Sequence, residues 1–87
     1  MLANEIRKEL RHFINSNFMV GEALRNFSDS DSFLRRGIID SMGVVELLAF
    51  VQKQYGIKVA PAEVLLNNFD SLENLDRYIR AKKGMLS

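Results

Sequence analysis

The chain has 87 residues, enough for one small domain with one modest core, and its 12 basic and 11 acidic residues nearly balance. This balance disfavours a nucleic-acid binder such as a helix-turn-helix protein, and no segment approaches the roughly 20 apolar residues of a membrane span. The absence of cysteine excludes disulfides, thiolate metal sites and a cysteine nucleophile, and it is typical of a reducing compartment. We therefore expect a cytoplasmic protein. We also expect that it binds no metal or nucleic acid and does not insert into a membrane.

The first predicted helix covers about residues 4–16, with Asn4 as its candidate cap. Its apolar positions recur with the helical period and form one stripe: Ile6, Leu10, Phe13 and Ile14. The opposite face is polar, and we predict that it is solvated. It carries Arg7, Lys8, Arg11 and His12. His12 is the one histidine, and because its neighbours supply no metal ligand or acid–base partner, we expect no function from it.

A long irregular loop is predicted from about residue 17 to residue 40. Its apolar residues are too many for a free linker, so we expect the loop to pack across the helices. These residues are Phe27, Phe33, Leu34 and Ile39. The run Asp29-Ser30-Asp31-Ser32 lacks the later glycine and glutamate of a calcium-binding loop, and it predicts turn and cap chemistry instead.

The second predicted helix covers about residues 41–55 and ends at Gly56, a typical C-terminal cap. Its predicted core face contains Val44, Leu47, Leu48, Val51 and Tyr55. The other side forms a mostly apolar surface that we call the helix-2 strip, and it consists of Met42, Val45, Glu46, Ala49 and Lys53. Such a strip is normally covered, so we expect a partner to bind it; the alternative is that the long loop folds over it.

The remaining chain predicts two more helices. A short third helix covers about residues 61–66, with Pro61 in its first turn and Asn67-Asn68 at its end. The fourth covers about residues 71–83, and Asp70 and Glu73 have the spacing of a capping box at its start. The predicted fold is therefore all-α, a single domain over residues 1–87. It is a small bundle of three main helices and one short helix, with the long loop between the first two.

Ser41 stands where the long loop gives way to the second helix. The unpaired N–H groups of a first helical turn and the positive end of the helix dipole favour a phosphate there, so we predict that Ser41 carries a phosphate ester. Hydrolysis by Ser41 would need a neighbouring histidine, and the one histidine belongs to the polar face of another helix. We therefore expect no catalytic residues in this chain.

The motif around Ser41 resembles the attachment site of the acyl carrier protein family, which includes peptidyl and aminoacyl carriers. The resemblance rests on Asp40-Ser41-Met42 followed by Val45-Glu46-Leu47, and it extends over roughly residues 33–80. In that family the serine bears 4′-phosphopantetheine, whose thiol holds the cargo as a thioester. The resemblance implies that Ser41 is the attachment residue. It also implies that Asp40 helps to position the cofactor phosphate and a metal during transfer, although Asp40 is equally suited to cap the helix.

The resemblance also implies partners. A phosphopantetheinyl transferase and acyl- or aminoacyl-activating and transferring enzymes would dock on Met42, Val45, Glu46 and Ala49 of the helix-2 strip. The chain would then be a transferase substrate rather than an enzyme, and we expect a monomer. Its pathway would be one of fatty-acid, polyketide, peptide or aminoacyl-transfer chemistry.

Three residues of the second helix point to the class of cargo. Fatty-acid carriers usually have an acidic residue two places after the serine, where this chain has Gly43, and here Lys53 opposes the single acid Glu46. The segment from Gly37 to Gly43 looks more like D-alanyl, aminoacyl or peptidyl carriers. We expect a specialised carrier, and a free-standing one because the chain ends soon after its last helix.

Asp70-Ser71-Leu72 also matches the family's Asp-Ser-Leu/Met pattern, but its context predicts a helix cap, so we expect loading at Ser41 and not at Ser71. The chain is alternatively a helical adaptor that binds a partner through the helix-2 strip without any cofactor.

Overall fold

The computed structural model describes residues 3–18 and 26–84, so part of the predicted long loop, residues 19–25, lies outside the described ranges. Within these ranges the chain forms four α-helices and one 3₁₀ turn. They are α1 (Ala3–Asn17), α2 (Ser41–Tyr55), the 3₁₀ turn Pro61–Glu63, α3 (Leu66–Phe69) and α4 (Leu72–Lys82). The described residues contain no strand, and the predicted all-α bundle is confirmed. A transmembrane span would need a longer and more apolar helix than any that these ranges contain.

The core lies around α4, which packs against both α1 and α3. Three residues of the predicted α1 stripe, Ile6, Leu10 and Ile14, are completely buried. The loop contributes Phe27, Phe33 and Ile39, whose exposed fractions are 3%, 2% and 1%. This burial confirms that the loop packs against the helices, except at Leu34, where 39% of the residue is exposed. Since apolar burial contributes about 25 cal/mol per Å², these loop residues belong to the stabilising core.

Side chains join α2 to α1. The rings of Phe13 and Phe50 stack with their centroids 4.0 Å apart. The Tyr55 hydroxyl donates a hydrogen bond to Glu9 over 2.8 Å, and burial together with this carboxylate raises the pKa of Tyr55. Immediately after Tyr55, Gly56 takes a left-handed conformation with φ of 64°, which confirms the predicted cap. The far end of α2 is thus fixed to the bundle.

The polar face of α1 is only partly solvated, which corrects the sequence prediction. Lys8 and His12 are exposed, but Arg7 contacts Asp76 of α4 through Nε and Asp29 of the loop through Nη1, each over 2.9 Å. Arg11 Nη2 lies 3.0 Å from the same Asp29. Asp76 is only 1% exposed, and a buried carboxylate needs a cation beside it. The arginines of α1 therefore bind the loop and α4.

The start of α1 and the third helix also differ from prediction. α1 begins at Ala3, which places Asn4 inside its first turn rather than before it. The predicted helix over residues 61–66 is instead the 3₁₀ turn, and Asn67-Asn68 lie inside α3. The physical reason is Glu63, whose carboxylate accepts the Ala60 N–H over 3.0 Å and closes a tight turn.

The same Glu63 holds the 3₁₀ turn on α4. Its carboxylate also accepts from the Tyr78 hydroxyl and the Lys82 ammonium, over 3.0 and 3.1 Å. The Ala60 N–H, with Lys82 and Tyr78, lowers the pKa of Glu63, while burial and Glu63 raise the pKa of Tyr78 to about 12. The segment after the turn, residues 64–66, is thereby held beside α4.

The capping of α4 also differs from prediction. The N-cap is Ser71, whose hydroxyl accepts the Asn74 N–H over 3.1 Å, and not the predicted Asp70–Glu73 pair. Asp70 instead bonds to the loop around Phe33, because the folded loop brings unpaired donors within its reach.

Candidate functional site

The candidate site lies at the start of α2. Asp40 is the N-cap: its backbone is extended, with φ −92° and ψ 178°, and its Oδ1 accepts the Gly43 N–H over 2.7 Å. The first hydrogen bond of the helix ladder runs from Val44 N–H to the Asp40 carbonyl over 3.2 Å. Asp40 therefore has the capping role, which was one of the two roles considered for it. The N–H groups of Ser41 and Met42 precede this first bond and point out of the helix end.

Ser41 is the first residue of α2, and it is exposed. The serine of the second Asp-Ser pair is placed quite differently. Ser71 is only 5% exposed, and its hydroxyl is occupied in capping α4. Of these two hydroxyl groups, that of Ser41 is the one a second protein can reach.

His12 is distant from Ser41. It lines an open groove of about 420 Å³ between α1 and α2, together with Phe13 and Phe50. Phe50 follows Ser41 by nine positions, which corresponds to roughly 13 Å along the axis of α2. The imidazole therefore has no place in proton transfer at Ser41. Among residues 3–18 and 26–84, no group of three or more histidine, aspartate or glutamate side chains is placed to hold a metal ion.

The helix-2 strip is exposed beside Ser41. Met42 is 77% exposed and Val45 is 67% exposed, and Glu46, Ala49 and Lys53 are exposed as well. The alternative in which the loop folds over the strip is therefore wrong. The described part of the loop directs Phe27, Phe33 and Ile39 into the core instead.

A second apolar surface near Ser41 was not predicted. It is a groove of about 120 Å³ whose walls come from the loop, α2, α3 and the segment before α3. Its lining residues are Phe33, Leu34, Val44, Val64, Leu65, Leu66, Phe69 and Asp70. Val44 lies three positions after Ser41, so the two residues share one side of α2. The sequence does not predict this groove, because residues 61–66 are there assigned to a helix. Three consecutive apolar residues, Val64-Leu65-Leu66, do not fit one face of a helix, and this run is the signal in the sequence for an exposed apolar surface.

Gly43 lies in a very close contact inside the site. A Cβ atom on Gly43 would lie 2.7 Å from Cε1 of Phe18 and 2.8 Å from Cγ2 of Ile39. Real Cβ atoms essentially never approach other atoms so closely, so any side chain here would displace its neighbours. The end of α1 and the loop thus meet α2 at the one residue without a side chain.

Comparison with protein families gives a match to this chain. A protein-family model described as a phosphopantetheine attachment site matches residues 19–79 of the chain. The matched segment runs from the loop into α4, and it includes Ser41 and the helix-2 strip as well as Ser71. No curated protein matches the chain.

Proposed function

The chain belongs to the family of phosphopantetheine-binding carrier proteins, whose members hold 4′-phosphopantetheine covalently, and on this premise we propose that Ser41 is the attachment residue. In this proposal the protein presents an acyl or aminoacyl cargo to partner enzymes and catalyses nothing itself. The observation that carries it is the exposed Ser41 at the first position of a 15-residue helix.

The residues at the start of α2 fit the phosphate of this group. The N–H groups of Ser41 and Met42 have no acceptor within the helix, and the helix dipole places positive potential at the same point. Asp40 is engaged with the Gly43 N–H, which orients its carboxylate along the helix end. When bound, the group supplies a thiol for thioester formation, which this chain without cysteine lacks.

Loading requires little of the chain beyond presenting a hydroxyl. The Ser41 Oγ–H bond is replaced by an Oγ–P bond, and the nucleotide part of coenzyme A leaves with the electrons of the phosphoanhydride bond that breaks. The serine proton passes to a base on the transferase, since the one histidine of this chain lies on α1. Ser41 remains in a fixed position because Asp40 caps the helix directly before it.

The transferase and the cargo-handling enzymes are proposed to dock on Met42, Val45, Glu46 and Ala49. The exposure of Met42 and Val45 supports this surface, because apolar side chains that bind nothing are usually covered. The groove around Val44 is a second apolar surface beside Ser41, on a different side of α2 from the strip. A partner that covers both would enclose Ser41.

An aminoacyl or peptidyl cargo suits the charges of α2 better than a fatty acyl chain in a fatty-acid pathway. Glu46 is the one acid on the helix-2 strip, Lys53 balances it, and the tight packing at Gly43 leaves no room for a further acid. A partner with a basic docking patch would therefore associate slowly, since charges at an interface mainly set association rate and partner choice. The monomeric state and the cytoplasmic location stay predictions.

Intact-mass measurement tests the proposal. The wild-type protein is incubated with coenzyme A and a broad-specificity phosphopantetheinyl transferase, and we expect its mass to increase by one phosphopantetheinyl group. An unchanged mass would instead favour the cofactor-free adaptor, which would use the same exposed strip.

A further inference from the structure

Asp70 makes contacts that a helix cap does not explain. Its carboxylate accepts the Leu34 N–H on Oδ1 over 3.0 Å and the Ser32 hydroxyl on Oδ2. Its backbone carbonyl accepts the Phe33 N–H over 2.9 Å. Asp70, two positions before the first residue of α4, thus binds three consecutive residues of the loop. The cap of the helix is its neighbour, Ser71.

The three bonded residues belong to the turn that leads directly to Ser41. The Phe33 carbonyl accepts from Ile38 N–H over 2.8 Å and from Ile39 N–H over 3.3 Å. The turn closes through Gly37, whose φ is 70°, a conformation that glycine adopts without strain. Ile38 and Ile39 are 5% and 1% exposed, so both side chains are fixed in the core. Asp40 and Ser41 follow immediately.

Resting on the proposed attachment at Ser41, we propose that Asp70 is a positioning residue for loading. It holds the Ser32–Leu34 end of the turn against α4, and the turn sets the direction in which Asp40 and Ser41 enter α2. Without its carboxylate the turn would sample more conformations, and only a fraction of them would present Ser41 correctly. The apparent affinity of a transferase falls in proportion to that fraction.

The effect is therefore expected in KM rather than in kcat. We expect Asp70→Ala to raise the KM of the carrier in transferase-catalysed loading by on the order of tenfold, the range set by one charge-assisted hydrogen bond. The kcat should change little, because correctly presented Ser41 reacts as before. Faster hydrogen exchange of the Leu34 amide would accompany the change, since this N–H loses its acceptor.

Two variants separate positioning from general destabilisation. Asp70→Asn keeps an oxygen for the Leu34 N–H and a polar partner for the Ser32 hydroxyl, and it should load with nearly wild-type KM. Ser71→Ala is the matched control: it removes the cap of α4 one residue away, so it should lower the melting temperature and leave KM unchanged.

Four outcomes would overturn the proposal. They are an unchanged KM in Asp70→Ala, an equal rise in Ser71→Ala, a rise in Asp70→Asn as large as in Asp70→Ala, and no loading of the wild type, which defeats the proposed function as well. Loading of the wild type with an unaffected Asp70→Ala defeats this inference alone. If Asp70→Ala does not fold, Ser32→Ala decides by the same criterion, because it removes the hydroxyl that Asp70 accepts.

Discussion

Gly43 is the residue at which the packing of α2 leaves no space for a side chain. We expect Gly43→Ala to destabilise the protein, because the new methyl group would push against Phe18 and Ile39. Overpacking typically costs about 1–3 kcal/mol. Alanine regains about 1 kcal/mol of helix propensity over glycine. The net loss in the free energy of unfolding is on the order of 1 kcal/mol, and urea denaturation measures it.

The clash with Phe18 can be tested by replacing its ring with a smaller side chain. In a Phe18→Leu background, the further change Gly43→Ala should cost less than it does in the wild type, since the closest atom to the new methyl group is removed. A Gly43→Ala protein more stable than the wild type would mean that helix propensity dominates and that the close contact is unimportant.

A substitution at the single residue Val45 tests the proposed docking surface. Because this residue is 67% exposed, Val45→Glu should change the free energy of unfolding by only about 0.5 kcal/mol or less. A charge in the centre of an apolar docking site should nevertheless lower kcat/KM for transferase loading by on the order of tenfold. The matched control is Gln54→Glu, which adds the same side chain at an exposed position near the far end of α2. Equal loading of the two variants would argue against the docking surface.

At the scale of elements, a small charge cluster joins the loop to α1 and α4. Hydrogen bonding to the Arg7 guanidinium, with a contribution from Arg11, lowers the pKa of Asp29. A lowered pKa means that the ionised form stabilises the fold. This contribution is complete above the pKa of the unfolded chain, about 4, and is lost as the pH falls through the lower folded value.

Asp29→Asn should therefore reduce stability at neutral pH and converge with the wild type in acid. Since the Asp29 side chain is 40% exposed and solvent screens the pair, the difference at pH 7 should be about 1 kcal/mol or less. Denaturation at several pH values below and above 4 measures it. Lys8→Gln serves as the control, because Lys8 is exposed on the same helix outside this cluster. A difference between Asp29→Asn and wild type that stays constant with pH would contradict the assignment.

The elements that periodicity predicts well are the long ones. The limits of α2 were predicted as observed, because Ser41 follows a cap residue and Gly56 supplies a left-handed end. The segment over residues 61–69 was predicted poorly, since a 3₁₀ turn and a helix of four residues have no hydrophobic period to detect. Its shape depends on Glu63 reaching Tyr78 and Lys82, which are distant in sequence.

The candidate site likewise contains features that the local sequence predicts and contacts that it does not. Ser41 and the helix-2 strip follow from local sequence, because a helix start and a helix face are local features. The bonds of Asp70 to the loop do not, since they join residues 36 and 38 positions apart. Asp70 beside a serine looks like a cap in the sequence, and only the folded chain shows that Ser71 takes that role.

At the scale of the whole molecule, the exposed apolar side chains of the described residues are concentrated around Ser41. The large ones are Leu34, Met42, Val45, Val64, Leu65 and Leu66. Met42 and Val45 flank Ser41 on α2, and the other four line the neighbouring groove. The other large apolar side chains of the described residues are buried or partly buried. This arrangement supports a carrier that is handled by other proteins.

The most direct test of the central claim compares two serines. Ser41→Ala and Ser71→Ala are each incubated with coenzyme A and a broad-specificity phosphopantetheinyl transferase, and their intact masses are measured. We expect Ser71→Ala to gain one phosphopantetheinyl group, since its hydroxyl is a buried cap, and Ser41→Ala to gain none. Full loading of Ser41→Ala would contradict the account.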